Sequence, residues 1–211
     1  MKIALRICVL IFTLGASQAS LAQDFDCSEP LVTFGEVMAG LQAGFTGGSV
    51  NETTLPSGLY LGASGVDQRG FIDPESGSGW KCHGDWGLVS AWLGISLGGV
   101  AGTVTTWQEA RELAENLFRV TIEVDGVQHE PVQAAVRIGT LPPPDDAKAA
   151  IKSWGAFSEP YSLAVGLHTA TIIFEIDFDC LPPILGGAGI CDGIFDFVFF
   201  EESTDFEVVP N

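Results

Sequence analysis

Alternation of apolar and polar side chains is the strongest signal in this chain. From Ala170 to Phe178, Ala170, Ile172, Phe174, Ile176 and Phe178 fall on one side; Thr171, Ile173, Glu175 and Asp177 fall on the other. A period of two belongs to a pleated strand with one buried face. A second run, from Ile194 to Glu201, places Phe195, Phe197 and Phe199 on one face. Between the runs lies a Pro- and Gly-rich segment with Cys180 at one end and Cys191 at the other. The pattern predicts two antiparallel strands whose connecting loop is closed by a disulfide.

Similar signals recur upstream. Phe118, Val120, Ile122 and Val124 alternate with Arg119, Thr121 and Glu123, and Asp125-Gly126 follows. That dipeptide suits a type I′ hairpin turn, in which both central residues need positive φ. Val132, Ala134, Val136 and Ile138 form another alternating run. The clearest helix starts at Thr106, which stands at capping-box spacing from Glu109. Trp107, Ala110, Leu113, Ala114 and Leu117 then make one apolar stripe, as an amphipathic helix requires. The uncharged stretch from Gly87 to Gly102 predicts one or two buried strands with a turn near Gly98-Gly99. It falls short of the roughly 20 apolar residues of a membrane span. Leu31, Phe34, Val37, Met38, Leu41 and Phe45 also fall at helical spacing, although Gly35 and Gly40 each weaken a helix by about 1 kcal/mol relative to alanine. Leu59 to Leu61 reads as a short strand. After the stiff run Pro142 to Asp146, the segment Ala147 to Ser153 reads as a short helix. Together these elements predict a mainly β chain: an antiparallel β-sandwich, immunoglobulin-like or jelly-roll-like, with one amphipathic helix near residues 106–117.

The N-terminus changes the setting. Lys2 and Arg6 precede a short apolar core from Ile7 to Leu14, and Ser20-Leu21-Ala22 is a small-x-small cleavage site. This reads as a secretory signal peptide over residues 1–22. Residues 23–211 are then one secreted domain, Gly-rich over 23–102, in the periplasm or outside the cell. Losing Lys2 and Arg6 with the leader deepens the formal charge of −18 by two. Such a surface repels nucleic acid and anionic lipid. The simplest role of this acidity is solubility; the charge names no partner, and a glycan or a protein at the cell exterior stays open. Four cysteines remain after Cys8 departs: Cys27, Cys82, Cys180 and Cys191. An even count in an exported chain implies disulfides, and four cysteines allow three connectivities. The short loop favours Cys180–Cys191, which leaves Cys27–Cys82. Asn51 opens a glycosylation sequon.

The segment Gly166 to Thr171, with His168, Thr169 and Thr171 ahead of the long alternating strand, resembles the late strands of bacterial extracellular immunoglobulin-like domains. The resemblance is confined to the C-terminal strands. That family's usual Cys–Trp–Cys core pattern is not evident here, and the helix at Trp107 departs from a minimal version of the fold. The resemblance implies architecture and says nothing of activity.

Three segments carry candidate chemistry. Gly94 to Gly98 matches G-x-S-x-G around Ser96, but a nucleophile elbow needs a helix directly after the turn. The Gly- and Thr-rich residues that follow read instead as a buried strand turn. His83 and Asp85, beside Cys82, form a dense polar cluster that admits a shared metal or a base with its orienting acid. No second histidine stands at ligand spacing, so a turn tied down by Cys82 is the simpler reading. Acidic groups crowd the disulfide loop: Asp177 and Asp179 before it, Asp192 and Asp196 after it. Carboxylates and loop carbonyls are the hard ligands calcium takes, so calcium is the one cofactor these residues suggest; the spacing matches no EF-hand, and a solvated acidic rim is the simpler reading. Trp80, Trp86, Trp92 and Trp154 are sugar platforms if exposed and core residues otherwise. The expectation is an exported, non-enzymatic structural, adhesion or ligand-binding module. The alternative is a small carbohydrate-active or other hydrolase using an Asp/Glu pair. A subunit of a surface assembly would show an exposed apolar edge strand at Phe199-Phe200.

Overall fold

A computed structural model describes residues 27–28, 33–43, 57–67, 78–141, 147–195 and 197–211. The expectations for the leader, the Asn51 sequon and Asp196 lie outside the described residues. The elements are helix α1 (Phe34–Ala43), strands β1 (Leu59–Asp67), β2 (Ser78–Cys82) and β3 (Gly87–Ser96), helix α2 (Trp107–Asn116), then β4 (Phe118–Val124), β5 (Val127–His129), β6 (Val132–Thr140), β7 (Lys148–Ser158), β8 (Gly166–Ile176) and β9 (Phe197–Val209). One sheet has the order β1-β3-β7-β6 and the other β2-β9-β8-β4-β5. The two sheets pack face to face as a β-sandwich. Every pairing is antiparallel except that of β2 with β9, which is parallel. No described helix is long and apolar enough to cross a membrane.

The alternating strands form as their patterns require. Val120, Ile122, Val124, Ala170, Ile172, Phe174 and Ile176 are buried between the sheets with Val89, Ala91, Leu93, Ile95 and Trp154. Asp125 and Gly126 adopt φ of 52° and 74° in the tight turn between β4 and β5. Helix α2 carries the full capping box: Thr106 accepts from the Glu109 amide at 3.2 Å, and Glu109 accepts from the Thr106 amide at 2.9 Å. Its stripe buries Ala110 and Ala114 in the core between the sheets.

One expectation needs correction. The segment 147–153 is no helix; it opens β7, a central strand paired with β3 and β6. Ala150, Trp154 and Ala156 face the core, while Ala149 and Ile151 pack under Leu141 and Trp92 on the outer side. A strand buried on both faces loses its alternation, and its Ala and Lys content mimics a helix. At Phe199-Phe200 the described pairing of β9 is with β8 alone, because β2 meets β9 only over Asp205–Val209. The two side chains are half-buried, with rings 5.3 Å from Phe118 and 5.9 Å from Phe174.

The outer face of the β1-β3-β7-β6 sheet is also covered. Val37 and Leu41 of α1 pack on Leu88, with Trp86 and Phe157 beside them. Gly62 on β1 has no Cβ because the Trp92 indole occupies that space. Lysines are buried in both layers. Lys152 is 3 % exposed and reaches Glu115 of α2 at 2.5 Å. Lys81 is fully buried, and its Nζ donates to the carbonyls of Asp85 at 2.7 Å and Cys82 at 3.1 Å.

Candidate functional site

The loop between β8 and β9 is built around one carboxylate. Asp177 follows the last residue of β8 and is fully buried. Its Oδ1 accepts from the amides of Asp179 at 3.1 Å and Cys180 at 3.3 Å. Its Oδ2 accepts from Asp192 at 3.0 Å and Gly193 at 2.8 Å, across the loop. One side chain thus ties the outgoing and returning arms together. Beside it, Cys180 and Cys191 stand at disulfide distance, with Cα atoms 4.1 Å apart. The Asp179 carbonyl accepts from Ala188 and Ile190 at 3.2 and 2.9 Å, and the Leu181 carbonyl from Gly189 at 2.8 Å. At Gly187 a Cβ would run into the carbonyl oxygens of Leu181 and Phe178. Arg119 on β4 forks onto Glu175 with two contacts of 2.8 Å, and also donates to the Phe195 carbonyl at 3.2 Å. The fork raises the Arg119 pKa and lowers that of Glu175, as paired charges do.

This rigid loop presents apolar side chains to solvent. Among the described residues, six of the thirteen large hydrophobic residues that are exposed lie within it or at its exit: Phe178, Ile184, Ile190, Ile194, Phe197 and Val198. Ile184 and Ile190 are 72 % and 70 % exposed. The carboxyl-bearing residues Asp179 and Asp192 are exposed among them. Sequence reasoning located the loop and its closure but took its acids as the chemistry. The signal it missed was the isoleucines, which alternate with nothing and have no strand to bury them.

The other predicted residues take these places. The carboxylate of Asp177 is surrounded by amide donors, the opposite of a cation site, and Asp192 accepts from the Ile194 amide at 3.0 Å. Among the described residues, no three His, Cys, Asp or Glu side chains gather as a metal would need. The His83 ring packs edge-on against Tyr161 at 5.0 Å. Asp85 is buried beside Lys81: burial lowers the lysine's pKa, and the Asp85 charge opposes that shift. Cys27 and Cys82 also stand at disulfide distance, with Cα atoms 5.8 Å apart. Ser96 ends β3, its amide donating to Gly58 at 3.0 Å. The residues after it form a turn with Val100 and Ala101 at φ of 49° and 61°, not the helix an elbow requires. Trp92 and Trp154 are core residues, and Trp86 packs at 4.7 Å from Phe34 of α1. No family model, curated protein or solved structure matches the chain.

Proposed function

We propose that the protein is an exported, non-enzymatic β-sandwich module that binds a protein partner at the cell exterior through its disulfide-closed loop. The observation that carries this is the set of six exposed apolar side chains on a loop that Asp177 and the cysteine pair hold in one conformation. Apolar surface gathered in one place marks an interaction site, whereas scattered exposed residues do not. Holding the loop rigid in advance lowers the ordering cost of association. Two cysteine pairs support export, because such bonds persist in oxidising compartments. The test is site-specific crosslinking in the cells that make the protein. A photoreactive residue at Ile190 should yield one discrete heavier adduct, and the same residue at Gln128, in the short β5 strand, should yield none. No adduct at Ile190, or the same adducts at both positions, would overturn the reading.

A further inference from the structure

A second site lies at the other end of the sandwich. β4 runs from the loop end, where the Asp177 amide donates to Leu117 at 2.9 Å, to Val124 at the far end. At about 3.3 Å per residue, the two ends are roughly 20 Å apart. At the far end the sheets part around a cavity of about 260 Å³, walled by Val89, Val124, Ala156, Leu163 and Phe206. These residues come from β3, β4, β7, β9 and the β7–β8 connection. The opening is thus a property of the sandwich mouth and of no single loop.

The connection that closes this mouth is anchored at both ends. The Tyr161 amide donates to the His83 carbonyl at 2.7 Å. His168 contacts the Ala164 carbonyl through Nε2 at 2.8 Å and Asp125 through Nδ1 at 2.7 Å. Its ring stacks on Phe206 at 5.4 Å and so backs one wall of the cavity. The cavity is therefore preformed. An apolar cavity of about 150 Å³ stays dry and takes up benzene, and sites for drug-sized ligands start near 300 Å³. The volume here fits one ring or branched chain with a short substituent.

Polar groups occur only in part of the lining: His129, Ser158, Glu159 and Ser162. Glu159 gives its carbonyl to the amide and hydroxyl of Ser162, at 3.1 and 2.6 Å. Its carboxylate has no partner among the described residues. The other charges nearby are matched, Lys81 by Asp85 and His168 by Asp125. The uncompensated charge at the mouth is negative.

We propose that this cavity binds a small hydrophobic ammonium compound, its apolar body between the sheets and its cation at Glu159. The ligand's charge opposes the carboxylate, so an isosteric carboxylic acid should be rejected. The experiment is thermal unfolding of the oxidised protein with benzylammonium or benzoate as probe, each titrated to saturation or to its solubility. A ligand bound only by the folded state raises the melting temperature in a saturable way. Benzylammonium should do so and benzoate should not. Glu159→Gln, an exposed change, should weaken benzylammonium about fivefold, the worth of one exposed ion pair. Ala156→Leu should abolish the response by filling the cavity, provided circular dichroism shows it folded. No saturable rise with benzylammonium, an equal rise with benzoate, or unchanged affinity in Glu159→Gln would each overturn the proposal.

Discussion

Asp177 shows how much one side chain can organise. It is the N-cap of the short 3-10 turn over Phe178–Cys180 and the clamp that holds the returning arm. A carboxylate suits this task because it only accepts, and all four neighbours donate. Asn has almost the same shape, but its NH2 group would face two amide N–H groups on one arm. Each lost bond to a charged acceptor is worth about 1.5–3 kcal/mol. Asp177→Asn should therefore destabilise the protein by about 3 kcal/mol, read as a lower urea midpoint at unchanged slope. It should also make the Cys180–Cys191 pair easier to reduce, since the clamp no longer holds the arms together. An unchanged midpoint would show that the Asp177 clamp adds nothing to stability and that the loop stands on its cysteine pair alone.

At the scale of elements, His168 joins three: its own strand β8, the β4–β5 turn through Asp125, and the β7–β8 connection through Ala164. Both ring nitrogens face acceptors, so only the doubly protonated ring can donate to both. Burial works against that charge, and Lys81 adds to the opposition. The Asp125 hydrogen bond, the Ala164 carbonyl and the Asp125 charge outweigh them, and the pKa is raised. A raised folded value means the stabilisation is fully present below the ordinary histidine value of about 6.5 and is lost as pH rises through the folded value. The gap in melting temperature between the wild type and His168→Gln should be widest near pH 6 and narrow toward pH 9. A gap that stays constant with pH would mean the ring acts by packing on Phe206 alone. How far such elements could be read from sequence depended on how they are buried. β4, β8 and the hairpin turn at Asp125-Gly126 were legible because one face is wet and one dry. Helix α2 was legible because Thr106 and Glu109 satisfy each other within one turn. β7 was not, because both its faces are covered and its alternation vanishes. The burial of Lys81 and Lys152 was not legible, since nothing local shows that Asp85 and Glu115 meet them. Asp177 looked like a metal ligand because a sequence shows carboxylates and hides the amides that fold around them.

Over the whole molecule, the formal charge of −18 sets carboxylates against one another. Few cations offset this, since the chain has 9 Lys and Arg against 27 Asp and Glu. Among those described, Arg119 serves Glu175, Lys152 serves Glu115, and Lys81 is buried. Along β9, Glu201, Asp205 and Glu207 are all exposed, two residues or a multiple of two apart, and so share one face. Self-repulsion of this kind weakens the compact state, and salt screens it over a Debye length of about 10 Å at 0.1 M. The melting temperature should therefore rise between 10 and 200 mM sodium chloride. Chloride is the right anion here, because sulfate would also strengthen apolar burial. Calcium chloride at matched ionic strength separates screening from a site. With Asp177 enclosed by amides and no three-ligand group among the described residues, calcium should add only the small excess that a divalent ion brings to screening. A saturable calcium increment that disappears in Asp179→Asn with Asp192→Asn would place an ion on the loop after all. The loop would then be a cation-dependent surface, and its exposed isoleucines would bind their partner only when calcium neutralises the carboxylates between them.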